Sequence, residues 1–225
     1  MSTDIVPKRI RKSPDEIRRT AVLTLLQFME ARGKIVGTAD EWFDEVLSSG
    51  TEDGVYRLWL VREAPTGSES SPDEVQRKAK GKACLVKFVE DATSTTTGNT
   101  SLVNFMQQNK GKRKIVVIPN YMRKLCQNLM TFGDVEVFFE ADLLDNILTN
   151  PLQPKFEVLT RAEAARVRKE YVLQPSRISP LYEFDPVAIA LGLKHTDMLR
   201  IITANEGSGY IAIYRIVVRT AAGRC

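Results

Sequence analysis

The sequence predicts an α/β N-terminal part, with a mixed sheet and flanking helices, followed by a small α+β C-terminal part. Strand-like and helix-like segments alternate over residues 83–139, which is typical of helices packed on a parallel or mixed sheet. Pro151 and Pro154 then interrupt both helix and sheet. We therefore predict one domain over residues 1–150 and a second over residues 151–225.

The chain is predicted to begin with a mobile basic segment, residues 1–12, and two helices. Ser13 and Glu16 have the spacing of a capping box, so the first helix starts here and ends near Gly33. A shorter helix is predicted over residues 38–47.

Hydrophobic patterning predicts the remaining elements of the N-terminal part. Strands are expected at 55–61, 83–89, 115–118 and 135–139, and helices at 100–108 and 122–130. The strand at 55–61 is apolar on both faces and is expected to be shielded from solvent. Breaker-rich segments at 63–81 and 91–98 are predicted loops, and Cys126 is predicted to be a core residue.

The C-terminal part is predicted to contain two helices and a hairpin. Thr160 and Glu163 form a second capping box, opening a helix to about residue 171. Pro175 and Pro180 mark an irregular connection. A short helix is expected over 185–192, and a turn near 205–209 joins strands at 198–203 and 210–218.

Composition excludes several classes of protein. The chain has 225 residues, of which 43% are hydrophobic and 27% charged, as in ordinary globular proteins. No apolar run reaches the roughly 18 residues of a membrane span, and no secretory signal is recognised, so no membrane partner is expected. Three scattered cysteines favour a reducing intracellular compartment. With His195 as the only histidine, expected at the surface, we predict no metal site and no cofactor.

Positive charge is concentrated in the middle of the chain. The net charge is +4, yet no acidic residue occurs between Asp91 and Asp134. Such a field suits a polyanion, nucleic acid above all, although a solvated basic face is the alternative. The turn after Ile118 could hold a phosphate on backbone N–H groups, or be an ordinary turn. The candidate DNA contacts are Lys110, Lys112, Arg113, Lys114, Asn120, Tyr121, Arg123 and Lys124.

A nuclease is the competing enzyme hypothesis for an α/β chain that binds DNA. It would need clustered acidic side chains on neighbouring strands to hold Mg²⁺. The predicted strands at 83–89 and 115–118 contain no acid, so a metal-dependent nuclease is disfavoured.

Residues 154–216 resemble the assembly domain of the shared fifth subunit of eukaryotic nuclear RNA polymerases, a domain that has a counterpart in archaeal polymerases. The resemblance rests on motifs in family order and spacing. They are Leu159-Thr160 with Glu163, Tyr171, Asp185-Pro186-Val187-Ala188, Gly192-Leu193-Lys194, Ser208-Gly209 and Tyr214-Arg215-Ile216.

The N-terminal part is similar to the jaw domain of the same eukaryotic protein. The matching segments are Arg18-Arg19-Thr20 through Gly33, Lys114 through Pro119, and Val135 through Leu148. Some family positions differ: Ser179-Pro180-Leu181-Tyr182 replaces a Leu-Pro-x-Ile run, and His195-Thr196 replaces a basic residue and a glycine. The chain is therefore a divergent member or a paralogue.

The resemblance implies a non-catalytic subunit of a nuclear DNA-directed RNA polymerase, in nucleoplasm or nucleolus according to the polymerase class. The C-terminal domain would dock on the largest subunit, beside other polymerase subunits, through an exposed edge or face of the hairpin at 198–218. The jaw domain would contact downstream double-stranded DNA independently of sequence. The candidate subunit contacts are Asp185, Pro186, Gly192, Lys194, Tyr214 and Arg215. A stand-alone nuclease-like protein and a protein-interaction adaptor remain the alternatives.

Overall fold

The computed structural model describes most of the chain. The described residues are 13–35, 37–51, 54–60, 83–89, 100–119, 125–126, 128–129, 135–172, 174, 177–205, 207 and 209–219. The basic N-terminal segment and the predicted loops at 63–81 and 91–98 lie outside them. Among the described residues, no helix has the length and apolar character needed to cross a membrane.

The first two helices begin where the capping signals predict. Helix α1 (Pro14–Ala31) starts with a closed capping box, because the Glu16 N–H donates to Ser13 Oγ over 3.2 Å and the Ser13 N–H donates to Glu16 Oε2 over 2.8 Å. It ends before Gly33, which has a φ of +62°. Helix α2 (Ala39–Ser48) follows. Both predicted helices are confirmed.

The N-terminal sheet contains four strands in the order β1-β2-β3-β4. These are β1 (Val55–Trp59), β2 (Ala83–Phe88), β3 (Arg113–Ile118) and β4 (Val135–Phe139). Strand β1 runs antiparallel to β2, and the others pair in parallel, which confirms the predicted mixed sheet. Helix α3 (Thr100–Gln108) connects β2 to β3, and the short helix α4 (Glu140–Leu143) follows β4.

Alternation along the strands builds a core on each face of this sheet. Ile115 and Val117 pack with α1 and α2, whereas Val116 and Ile118 pack with α3. Cys126 is fully buried in the second core, as predicted. Its predicted helix is described only at 125–126 and 128–129, which are helical. The expected shielding of the first strand is wrong at Arg57, which is exposed because β1 lies at the sheet edge.

The C-terminal sheet is a second four-stranded sheet, in the order β5-β7-β8-β6. Strands β7 and β8 form the predicted antiparallel hairpin, from Met198 opposite Ile216 to Asn205 opposite Gly209. The elements are β5 (Lys155–Val158), α5 (Arg161–Glu170), β6 (Ser179–Tyr182), α6 (Pro186–Leu191), β7 (Met198–Asn205) and β8 (Gly209–Val218).

Two strands of this sheet differ from the sequence-based prediction. Pro180 was expected in an irregular connection, but it lies in β6, which pairs in parallel with β8. This is sterically acceptable because β6 is an edge strand, where a residue without an N–H group is tolerated. Strand β5 was not predicted, because four residues are too few for their alternation to stand out.

The two sheets share apolar contacts near the predicted boundary. Helix α6 covers one face of the C-terminal sheet and α5 covers the other. Ile147 and Leu148 pack against both the α6-side core and the core that α1 forms with the N-terminal sheet. The chain is thus mixed α/β with two sheets, while the domain boundary at residue 150 stays a prediction.

Candidate interfaces for nucleic acid and partner subunits

The basic turn, defined as Lys110–Lys112, connects α3 to β3. Gly111 has a φ of +80°, the left-handed region in which glycine meets no steric cost. The Lys112 N–H donates to the carbonyl of Asn109 over 3.3 Å, which fixes the turn. Both lysine side chains are exposed, so they present two positive charges to solvent.

The next two basic residues are placed differently. Arg113 is partly exposed and pairs with Glu136 on the neighbouring strand. Lys114 is only 2% exposed, and its Nζ donates to the carbonyl of Lys112 over 3.0 Å. We expected Lys114 to contact DNA, but alternation along β3 turns it towards the face that α3 covers. Lys114 therefore offers no charge at the surface.

The turn after β3 cannot be assessed in the same way. Asn120, Tyr121, Arg123 and Lys124 lie outside the described residues, so their role as phosphate contacts stays a prediction.

Three of the candidate subunit contacts have roles within the chain. Asp185 caps α6, since its Oδ1 accepts from the Val187 N–H over 2.9 Å, and Pro186 occupies the first turn. Gly192 ends α6 with a φ of +65°. A Cβ atom on Gly192 would lie 2.8 Å from Arg32 Nε, closer than real Cβ contacts. Contact of these residues with a partner stays a prediction.

The remaining candidate subunit contacts lie partly at the surface. Lys194 is exposed. Tyr214 is half-buried, with its ring 6.0 Å from that of Tyr171, and it lies opposite Arg200 of β7. Arg215 is also half-buried, and its Nε is enclosed without a hydrogen-bond partner among the described residues. A buried donor of this kind is costly unless an acceptor reaches it.

The hairpin of β7 and β8, whose edge or face is expected to dock on a partner, has one edge that is partly uncovered. Strand β6 pairs with residues 215–218 of β8, and residues 209–214 have no strand on that side within the described part of the chain. We call residues 209–214 the open edge. Tyr210, Ile211 and Ile213 on it are 81%, 39% and 43% exposed.

The sequence did not predict a charged cluster that lies between the two sheets. Arg32, at the end of α1, binds Glu136 of β4, which also binds Arg113. Burial alone would raise the pKa of Glu136, but the two guanidinium groups hold that pKa below its usual value of 4.5. Both Glu136 oxygens are thus engaged, which makes this acid of the N-terminal sheet a poor ligand for a cation.

The reactive side chains are also accounted for where the structure describes them. Burial raises the pKa of the Cys84 thiol to about 12, so it is not a nucleophile. His195 is exposed, as predicted, and its Nδ1 accepts from the Arg219 N–H over 3.2 Å. No three His, Cys, Asp or Glu side chains among the described residues are grouped to hold a metal ion.

Comparison with known proteins connects these surfaces to a family. The family described as RNA polymerase Rpb5, C-terminal domain, matches residues 145–217. The "DNA-directed RNA polymerases I, II, and III subunit RPABC1" of Caenorhabditis elegans is 31% identical over 201 residues, which cover 87% of this chain and 92% of the relative. That of Caenorhabditis briggsae is 28% identical over the same shares.

A viral protein is also similar to this chain. The "DNA-directed RNA polymerase subunit 5" of Acanthamoeba polyphaga mimivirus is 27% identical over 138 residues, which cover 61% of this chain and 67% of the relative. The resemblance seen in the motifs is therefore confirmed across both sheets, and the chain belongs to the Rpb5 family of DNA-directed RNA polymerase subunits.

Proposed function

We propose that this chain is a non-catalytic subunit of a nuclear RNA polymerase, which docks by its C-terminal sheet and brings the basic turn close to downstream DNA. The open edge of β8 is the observation that carries the proposal. Nucleotidyl transfer would belong to the large subunits, and this chain would supply binding surfaces only. The Caenorhabditis relatives are named as subunits of polymerases I, II and III, which supports a nuclear location.

Docking on the largest subunit is supported by backbone and apolar chemistry together. An unpaired strand edge offers N–H and C=O groups to a strand of the partner, and the exposed isoleucines beside it offer apolar surface. These features favour addition of a partner strand along β8.

The docking proposal is tested by a tagged pulldown from nuclear extract with partners identified by mass spectrometry. The two largest subunits of a polymerase should be recovered in equal stoichiometry, and the largest one also identifies the class. The double variant Ile211→Asp and Ile213→Asp should lose the polymerase subunits. The control Leu152→Asp, which also replaces an exposed aliphatic side chain (89% exposed), should retain them. Circular dichroism checks that both variants fold.

The pulldown can also refute the proposal. Retention of the polymerase by the double variant would move docking away from the open edge. Recovery of unrelated partners by the unchanged chain would favour the adaptor hypothesis instead.

The DNA proposal now rests on Lys110 and Lys112, because Lys114 is buried. Their contact would be with phosphates and independent of sequence, since a polymerase moves along any template. Photo-crosslinking to downstream DNA in the assembled polymerase should fall strongly in the double variant Lys110→Glu and Lys112→Glu. Lys169→Glu, at an exposed site on α5, is the matched control. If the double variant still docks and its crosslinking to DNA is unchanged, the basic turn does not contact DNA and is a solvated basic face.

A further inference from the structure

Arg32 occupies the junction between the two sheets. It caps the end of α1, yet its side chain is only 5% exposed. Nε donates to the carbonyl of Ala190 over 2.9 Å, and one terminal nitrogen donates to the carbonyl of Ile189. The other terminal nitrogen donates to Glu136 Oε2 over 2.7 Å, and the guanidinium lies 5.6 Å from the centre of the Phe138 ring.

These contacts join Arg32 to two separate parts of the chain. Ile189 and Ala190 are in the last turn of α6, where carbonyl groups lack helical partners and carry the negative end of the helix dipole. Glu136 and Phe138 are on β4, at the far edge of the N-terminal sheet. A planar guanidinium can serve both sides at fixed angles, which a flexible ammonium cannot do.

The surroundings of Arg32 are built to admit this side chain. Gly192 lies immediately after α6, and Arg32 Nε occupies space that a Cβ atom on this residue would need. Glu136 balances the buried positive charge and is itself held by Arg113 at the start of β3. That strand begins directly after the basic turn, so the charged cluster runs from α6 to the base of the turn.

We propose that Arg32 is a positioning residue, which sets the orientation of the N-terminal sheet relative to the C-terminal sheet. Apolar contacts at Ile147 and Leu148 also hold the two together, but the attraction between apolar surfaces is itself non-directional. The guanidinium supplies the directional contacts. A second consequence, which rests on the proposed function, is that Arg32 determines the position of the basic turn relative to DNA once β8 is docked on the largest subunit.

The orientation is tested on the full chain by a spin-label distance measurement. Labels are placed at Lys112→Cys, an exposed position beside the N-terminal sheet, and at Lys169→Cys, an exposed position on α5. Cys84 and Cys126 are buried, and Cys225→Ser removes the third native thiol. The unchanged Arg32 should give one narrow distance distribution. Arg32→Met, which keeps length without hydrogen bonds, should lose the single narrow peak. Arg32→Lys should give an intermediate width.

The control and the contrary results are distinct. Arg166→Met removes an exposed arginine of α5 and should leave the distribution unchanged. If Arg32→Met folds, melts at a lower temperature and keeps the narrow peak, Arg32 acts on stability alone and the proposal is wrong. If Arg32→Met does not fold, an unchanged narrow peak in Arg32→Lys refutes the proposal in the same way.

The consequence for the polymerase has its own readout. In the assembled enzyme, Arg32→Met should lower crosslinking of the basic turn to DNA while the largest subunit is still recovered in full. If the distances broaden in the isolated chain but crosslinking does not change, the DNA contact does not depend on Arg32 and this second consequence is wrong, while the positioning role of Arg32 in the chain stands. If the unchanged chain gives no crosslink, the proposed DNA contact itself is wrong.

Discussion

Replacing Gly192 by alanine should destabilise the chain through two separable effects. The first is backbone strain, because a φ of +65° costs a residue with a Cβ atom about 1–2 kcal/mol. The second is steric, because the new methyl group would lie 2.8 Å from Arg32 Nε. The guanidinium can move away only by giving up its bonds to the α6 carbonyls. Hydrogen bonds of charged groups contribute about 1.5–3 kcal/mol each, so loss of both carbonyl bonds together with the strain gives an expected total of about 4–8 kcal/mol.

Gly33 provides the matched control for this experiment. It has a φ of +62° and nothing within 4 Å of its added Cβ atom, so Gly33→Ala carries the strain without the collision. Unfolding in urea, followed by circular dichroism, gives both free energies. In an Arg32→Ala background, the cost of Gly192→Ala should fall to that of Gly33→Ala. Equal costs for the two glycines, or a cost at Gly192 that ignores Arg32, would refute the reasoning.

Three further results are expected. Burial raises the pKa of Glu136, but the paired arginines lower it more, so the stability that ionised Glu136 contributes is complete above pH 4.5 and is lost as pH falls through the lowered pKa. The difference in unfolding free energy between the unchanged chain and Glu136→Gln, measured in urea, should therefore shrink below pH 4.5, with Asp145→Asn as an exposed control. Cys84, with a pKa of about 12, should resist iodoacetamide at pH 8 until urea is added, as mass spectrometry can show. Asp185→Ala should lose about 1 kcal/mol through its cap to Val187, and Asp185→Ser should restore that stability. If Asp185 also contacts the largest subunit, Asp185→Ser should still recover less of that subunit in the pulldown; full recovery would limit Asp185 to its capping role.

Local signals in the sequence were sufficient for most helices and for the hairpin. A capping box uses atoms three residues apart, so Ser13 with Glu16 and Thr160 with Glu163 specify helix starts without help from the rest of the fold. The left-handed Gly192 specifies a helix end in the same way. The family also follows from sequence, because its motifs are contiguous and in order.

The short strands of the C-terminal sheet could not be predicted locally. Strand β5 has four residues, and β6 contains Pro180, which on its own argues against a strand. Each becomes a strand only because β7 and β8 present edges beside it. Neighbouring backbone, rather than intrinsic propensity, decides such cases.

The candidate interfaces also depend partly on local sequence and partly on tertiary structure. Sequence by itself determined the starts of the capped helices, the alternation of strands and helices, the hairpin, the family and the basic character of the segment around Lys112. Each of these depends on residues close together in the chain or on contiguous motifs. Tertiary structure alone decided that Lys114 is buried, which residues of β8 form the open edge, and that Arg32 meets Glu136, which is 104 residues away. Burial and ion pairing depend on which elements meet in space, and that is settled only when both sheets have formed.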